Sequence, residues 1–207
     1  MIENYGINND GLVYQKNKSD FIYDRQYIYD RYDTYGKLND RMSFLRLGYV
    51  TGVVGSKISS IMDIGYGNGS FLKACSGSIP KRYGFDITGY PVPSDAEFVY
   101  DWLNQEVDVV TFFDVLEHLD SPYVIKNLNT RYVIVSLPWC HYKSDDWFVK
   151  WKHRRENEHL WFFNEKSIYS FAKTSGYEIV HHCSLEDCIR GSLDGIDNIL
   201  TFTLRKN

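Results

Sequence analysis

A short apolar segment, Ser60-Ile-Met-Asp-Ile, runs directly into Gly65-Tyr-Gly67-Asn-Gly69 and then into Ser70-Phe-Leu-Lys. This junction restricts the fold more than any other feature of the chain. Glycines at alternate positions let the backbone turn through left-handed conformations that other residues avoid. They also let a ligand approach main-chain N–H groups where the next helix begins. A strand, a tight glycine turn and a helix make the first half of a βαβ unit, which needs a parallel partner strand. Candidate partners follow at 81–86, 97–100, 107–113 and 132–137, the last closed by Pro138. Short apolar strands joined by helices or loops predict parallel pairing inside an α/β sheet.

Upstream, Leu38, Met42, Leu45, Tyr49 and Val53 recur at helical spacing, and Gly55 would stop that helix. Downstream, a polar, aromatic and basic insert occupies 139–158, a helix is predicted over 164–174 ending at Gly176, and strands over 177–183 and 198–204. Residues 1–37 are polar, with Tyr23, Tyr27, Tyr29, Tyr32 and Tyr35 set among Asp24, Asp30 and Asp33. Their irregular spacing predicts an extended arm with room for one helix, leaving 38–207 as the single folded domain.

Hydrophobic residues at 43% and charged residues at 24% match ordinary globular usage and exclude wholesale disorder. No run approaches the ~20 consecutive apolar residues of a membrane span. The first ten residues lack both a basic start and an apolar stretch, so no secretory signal is expected. The four cysteines form no CxxC, which argues against a disulfide scaffold and makes a reducing cytoplasm the expected compartment. The x4 spacing of Cys183 and Cys188 likewise argues against a zinc site beside His181 and His182. A net charge of −4 gives no whole-molecule attraction to nucleic acid or anionic membrane. Lys150, Lys152, His153, Arg154 and Arg155 nevertheless form a basic run. It reads either as the solvated face of a lid or as a contact for a phosphate or carboxylate on a substrate.

Three details narrow the glycine turn. Its spacing is GxGxG, not the GxGxxG of dinucleotide binders, with Ser70 where the last glycine would stand. Asp63 sits two positions before the first glycine. Asp86 ends the next strand, 21 residues after Gly65, where a carboxylate can accept both ribose hydroxyls of a nucleoside cofactor.

In these residues the chain resembles the class I S-adenosylmethionine-dependent methyltransferases, and within them the ubiquinone-biosynthesis-like subgroup (types 11 and 23). Over roughly residues 40–205, Asp63, Gly65, Gly67 and Gly69 match the cofactor turn, and Asp86 with Ile87 matches the ribose-binding position. Asp101-Trp102 falls where the family places an acid or amide on the adenine amine. The stretch from Val110 to Asp114, Glu117 and His118 resembles the strand-four motif, and Ser136-Leu-Pro138 the strand-five ending. Glu158-His159-Leu-Trp161-Phe-Phe resembles the downstream block. The resemblance implies a Rossmann-like sheet of seven strands, mostly parallel with the last antiparallel and flanked by helices, and S-adenosyl-L-methionine as cofactor. It also implies cofactor contacts by Asp63, Gly65, Gly67, Gly69, Asp86, Ile87, Asp101, Trp102 and Asp114.

A sulfonium methyl is already a strong electrophile, so the protein's task is chiefly alignment, which can supply roughly 7–11 kcal/mol. A hydroxyl acceptor also needs a base, and His118, His159 and His141 are the candidates near the expected site, with Glu117 beside His118. In the resembling subgroup an acid and this Glu-His pair can bind a divalent metal through Asp114, Glu117 and His118. Similar enzymes use the same residues without one, and the expectation here is a histidine base with no metal. Trp139, Trp147, Trp151 and Trp161 would exclude water from the acceptor, and the insert would act as a mobile lid. The expected acceptor is a small molecule, sugar or lipid precursor. A nucleic acid or protein acceptor, or an idle cofactor-binding assembly module, are the alternatives.

Overall fold

The computed structural model describes residues 2–24, 26, 29 and 38–207. The helix expected within the arm, with Tyr27, Tyr32 and Tyr35, lies outside the described residues. In chain order the strands and α-helices are β1 (Tyr5–Ile7), β2 (Val13–Gln15), α1 (Leu38–Val54), β3 (Ser60–Ile64), α2 (Ser70–Ala74), β4 (Lys81–Phe85), β5 (Glu97–Phe98) and β6 (Val107–Phe113). They continue as β7 (Thr130–Pro138), α3 (Asp145–Lys150), β8 (Trp161–Phe162), α4 (Glu165–Thr174), β9 (Tyr177–Cys183), α5 (Asp187–Arg190) and β10 (Ile199–Lys206).

Seven strands form one sheet in the order β5-β4-β3-β6-β7-β10-β9. All neighbours are parallel from β5 to β7, and β10 runs antiparallel to both β7 and β9. Strands β3, β6 and β7 are nearly continuous apolar runs because they are covered on both faces. One face packs Met62, Val110, Phe112 and Val133 against Phe171 and Ala172 of α4. The other packs Ile61, Val109 and Ile134 against Val50 and Val54 of α1 and Phe71 of α2. Strand order reverses between β3 and its neighbours β4 and β6, and a crevice opens where such reversals occur at the carboxyl ends. The register makes those ends flush: Ile64 lies opposite Phe85 on one side and Phe112 on the other. Gly65, Asp86 and Asp114 therefore emerge along one edge.

Helix α1 spans the residues the periodicity indicates, and Gly55 ends it with φ +64°. Its buried stripe is Ser43, Val50 and Val54, one step round from the expected Met42–Leu45–Tyr49 seam. The reason is that α1 serves two surfaces. One face meets the sheet, while Leu38, Met42 and Arg46 look into the crevice. No helix among the described residues is long and apolar enough to cross a membrane.

A second, three-stranded sheet, β1-β2-β8, was not legible beforehand and corrects the picture of an extended arm. The arm begins as a β-hairpin and pairs Val13 with Phe162. Gln15 and Asn157 exchange two hydrogen bonds, of 2.8 and 2.9 Å, tying the hairpin to the end of the insert. Between them lies a third core of Tyr5, Val13, Cys140, Phe148, Trp151 and Phe162. Phe148 makes edge contacts to Tyr5 at 5.1 Å and Phe162 at 5.0 Å. Burial of a side chain of this size contributes about 1.5–3 kcal/mol, which fixes α3 in place. The expected mobile lid is thus a packed cap. Amide exchange across 147–151 is expected to be slow in the ligand-free protein and little changed by cofactor; rapid exchange that slows only on ligand addition would restore the lid.

Candidate active site

The carboxyl edge of the sheet encloses a cavity of about 580 Å³, within the usual range of small-molecule sites. Its floor is the glycine turn. Gly65, Gly67 and Gly69 have φ of +71°, +58° and +75°. A Cβ on Gly65 would stand 2.4 Å from Val115 Cγ2, and one on Gly69 2.6 Å from Pro93 Cγ. Both positions therefore need glycine for space as well as for conformation.

Asp86 is buried beside this turn and lines the cavity. Its Oδ2 accepts the Gly67 N–H at 2.9 Å and its Oδ1 accepts the Thr88 N–H at 2.8 Å and the Thr88 hydroxyl at 2.5 Å. An ionised carboxylate has about four acceptor sites, so one remains on Oδ2 for a ligand hydroxyl. Beyond it, Phe85, Ile87 and Trp102 form an apolar wall, with Phe85 and Trp102 rings 6.0 Å apart.

Not every residue matched to the cofactor motif faces the cavity. Asp63 is buried behind the turn, accepting from Thr111 Oγ1 at 2.7 Å, and burial pushes its carboxyl up to about 7. Asp101 is exposed and accepts from Asn104 at 2.7 Å; its neighbour Trp102 is the cavity residue. Asp114 lines the cavity in a left-handed conformation, φ +58°, but is engaged by arginines. Arg46 Nη2 lies 3.2 Å from it and Arg190 also donates to it. The same two arginines clamp Glu186, which is fully buried, at 2.7 and 2.8 Å. This quartet joins α1, the β6 end and α5, and sequence reasoning missed it.

His118 and His159 also line the cavity, with their rings 4.7 Å apart. His118 Nδ1 lies 2.8 Å from the Glu158 carbonyl and 2.9 Å from Tyr23 Oη. A carbonyl can only accept, so that nitrogen carries the proton and Nε2 keeps a lone pair. By the same reasoning His159 donates from Nδ1 to the His153 carbonyl at 2.8 Å, leaving Nε2 as acceptor. Burial, then the electrostatic coupling to His118 and the Arg155 charge, push His159 down to about 2. Burial likewise lowers His153 to about 4. Both stay neutral in the folded protein where the unfolded chain, with histidine near ~6.5, takes up protons, so they weaken the fold as pH falls below that value. His159 is therefore a poorer proton acceptor than its place among the candidate bases suggests.

Glu117, His118 and His159 offer ligand atoms within 4.8 Å of one another. A carboxylate and two imidazoles, each ring held by a backbone carbonyl through its other nitrogen, fit a divalent cation. The set differs from the Asp114–Glu117–His118 combination, because Asp114 turns to the arginines. Such an ion would supply Lewis acidity to an acceptor oxygen.

Other expected contributors lie elsewhere. His141 stacks on Trp139 at 5.4 Å beside a separate surface groove. Trp147 and Trp151 stack on each other at 5.3 Å in the third core, and Trp161 donates to the Leu119 carbonyl. None of the four tryptophans lines the cavity: Trp147 and Trp151 support the cap, while Trp139 and Trp161 pack against the main core. Tyr23, Asn198 and Ile189 do line it, without any local sequence signal.

A family model for the methyltransferase domain matches residues 24–182, about three quarters of the chain. The chain belongs to the methyltransferase family. No curated protein matches this methyltransferase significantly in sequence. Solved structures share its fold. A chain from the complex of the Haloferax volcanii Trm112 methyltransferase activator with a methyltransferase has 12% identity and a TM-score of 0.62, covering 90% of this chain and 99% of that one. An S-adenosylmethionine-dependent methyltransferase from Clostridium acetobutylicum has 11% identity and a TM-score of 0.60, covering 88% and 97%. The 1,6-didemethyltoxoflavin-N1-methyltransferase of Burkholderia thailandensis, solved with its substrate and S-adenosylhomocysteine, has 12% identity and a TM-score of 0.60, covering 99% of both chains.

Proposed function

We propose that this enzyme moves the methyl group of S-adenosylmethionine to an oxygen or nitrogen of a small molecule, sugar or lipid precursor. The carrying observation is the continuity of one cavity from the glycine turn, Asp86 and Trp102 to His118 and His159. The first end suits ribose and adenine, through the Asp86 carboxylate and the Phe85–Ile87–Trp102 wall. The second end offers the acceptor the His118 Nε2 lone pair. In this reading His118 takes the acceptor proton, while His159 and Glu117 position it. The Burkholderia relative, whose acceptor is a small molecule, supports the substrate class.

Methyl-labelled S-adenosylmethionine incubated with the protein and fractionated cell extract tests this. Label is expected in low-molecular-weight metabolites. Label confined to RNA or protein would replace the acceptor class.

A further inference from the structure

The basic run after α3 divides between two sides of the cap. Arg154 faces the hairpin, its guanidinium 5.3 Å from the Tyr5 ring and paired with Glu156. Lys152, His153 and Arg155 line the cavity instead. Buried Trp151 anchors this turn, and backbone bonds from Arg154 to Trp151 and from His159 to Arg155, 2.9 and 2.8 Å, hold its shape. The two cavity cations are thus presented by a fixed scaffold rather than a loose loop.

Charged donors facing the cavity differ in how far they are used. Arg46 and Arg190 are consumed by Glu186 and Asp114. His153 is neutral and donates from Nε2 to Asn198 Oδ1 at 2.8 Å, an amide oriented by its own bond to the Gly191 carbonyl. Arg155 spends Nη1 on Glu158 at 3.0 Å, and its guanidinium makes no other hydrogen bond among the described residues. Lys152 has no ion-pair or hydrogen-bond partner among the described residues. Two cations three residues apart, with donors left over, adjoin the histidine end: the His153 carbonyl between them is the one that holds His159.

We propose that Lys152 and Arg155 form an anion clamp that recognises a phosphate or carboxylate on the methyl acceptor. This rests on the reading of the His118 end as the acceptor site. The clamp binds one anionic group while the nucleophilic atom of the same molecule lies toward His118 Nε2. It selects small acidic acceptors over neutral analogues, because a charge-assisted contact is stronger than a neutral one. Arg155 supplies a planar fork suited to either anion, and Lys152 a point charge.

The protein saturated with S-adenosylhomocysteine, in EDTA, is titrated calorimetrically with inorganic phosphate and, separately, with malonate. Saturable binding of at least one anion is expected, and which one binds separates the phosphate from the carboxylate source. The Lys152→Ala/Arg155→Ala variant should bind that anion at least tenfold more weakly, whereas Arg154→Ala should bind as the wild type does. Unchanged melting temperatures and S-adenosylhomocysteine affinity in the variants establish that they are folded. No anion binding to protein that holds S-adenosylhomocysteine, or equal binding by the double variant, would overturn the clamp. So would a single-stranded RNA oligonucleotide binding through Lys152 and Arg155 where neither small anion does. Failure to bind S-adenosylhomocysteine at all would instead remove the parent reading.

Discussion

His118→Ala is expected to lower turnover by about 10²–10⁴-fold, the range supplied by a positioned acid or base, while leaving cofactor affinity near wild type. In the proposed reading His118 serves the acceptor, and its Nδ1 proton is committed to the Glu158 carbonyl. That leaves Nε2 to take a proton from the acceptor. His159→Ala should cost less at the chemical step, because a ring pushed down to about 2 accepts protons poorly. Single-turnover kinetics with labelled S-adenosylmethionine, with and without a chelator, measure both. Near-normal turnover in His118→Ala would take it out of the chemistry. Loss of wild-type activity on chelation would assign Glu117, His118 and His159 to a cation.

The largest stability effect is expected at the quartet. Arg46→Ala removes one of two guanidiniums from Glu186, whose carboxylate has no solvent exposure. Breaking a buried pair by deleting one partner costs about 3–5 kcal/mol, and here Arg190 alone is left to compensate Glu186. For a domain of this size each kcal/mol lowers Tm by about 2–4 °C, so a fall of about 10 °C is expected. Replacing both Arg46 and Glu186 by methionine should recover much of it, since no charge is then left buried. Calorimetric melting of the three proteins decides this; an unchanged Tm in Arg46→Ala would mean that Glu186 is compensated elsewhere.

These two residues illustrate what can be read from a chain and what cannot. Helix α1 and strands β3, β4, β6 and β9 were legible because periodicity, glycine stops and apolar runs are local. The turn at Gly65 and its distant carboxylate Asp86 were legible because the spacing of a βαβ unit is nearly fixed. Strands β1, β2 and β8 were not, since segments of two or three residues carry no period and gain stability only by pairing across the chain. Nor could composition place Glu186 between Arg46 and Arg190, because that contact exists only after α1 and α5 pack. The tryptophans of the insert misled for the same reason: an aromatic run announces burial but not which core receives it. His159 was correctly placed near His118, yet its protonation depends on tertiary burial and neighbouring charge. Asp63 and Asp101 show the converse, with a motif position matched and the side chain pointed away from the cavity.

The account stands on the cavity being a cofactor site organised by Asp86. Isothermal titration of S-adenosylhomocysteine into wild type and Asp86→Ala tests it most directly. A hydrogen bond to a charged acceptor contributes about 1.5–3 kcal/mol, and about 1.4 kcal/mol is a factor of ten. Asp86 also holds the Gly67 N–H, so the variant loses a ligand contact and the shape of the turn together. Saturable wild-type binding is expected, weakened at least tenfold in folded Asp86→Ala. Equal affinity in the two proteins, or binding of NAD with no response to S-adenosylhomocysteine, would contradict the account.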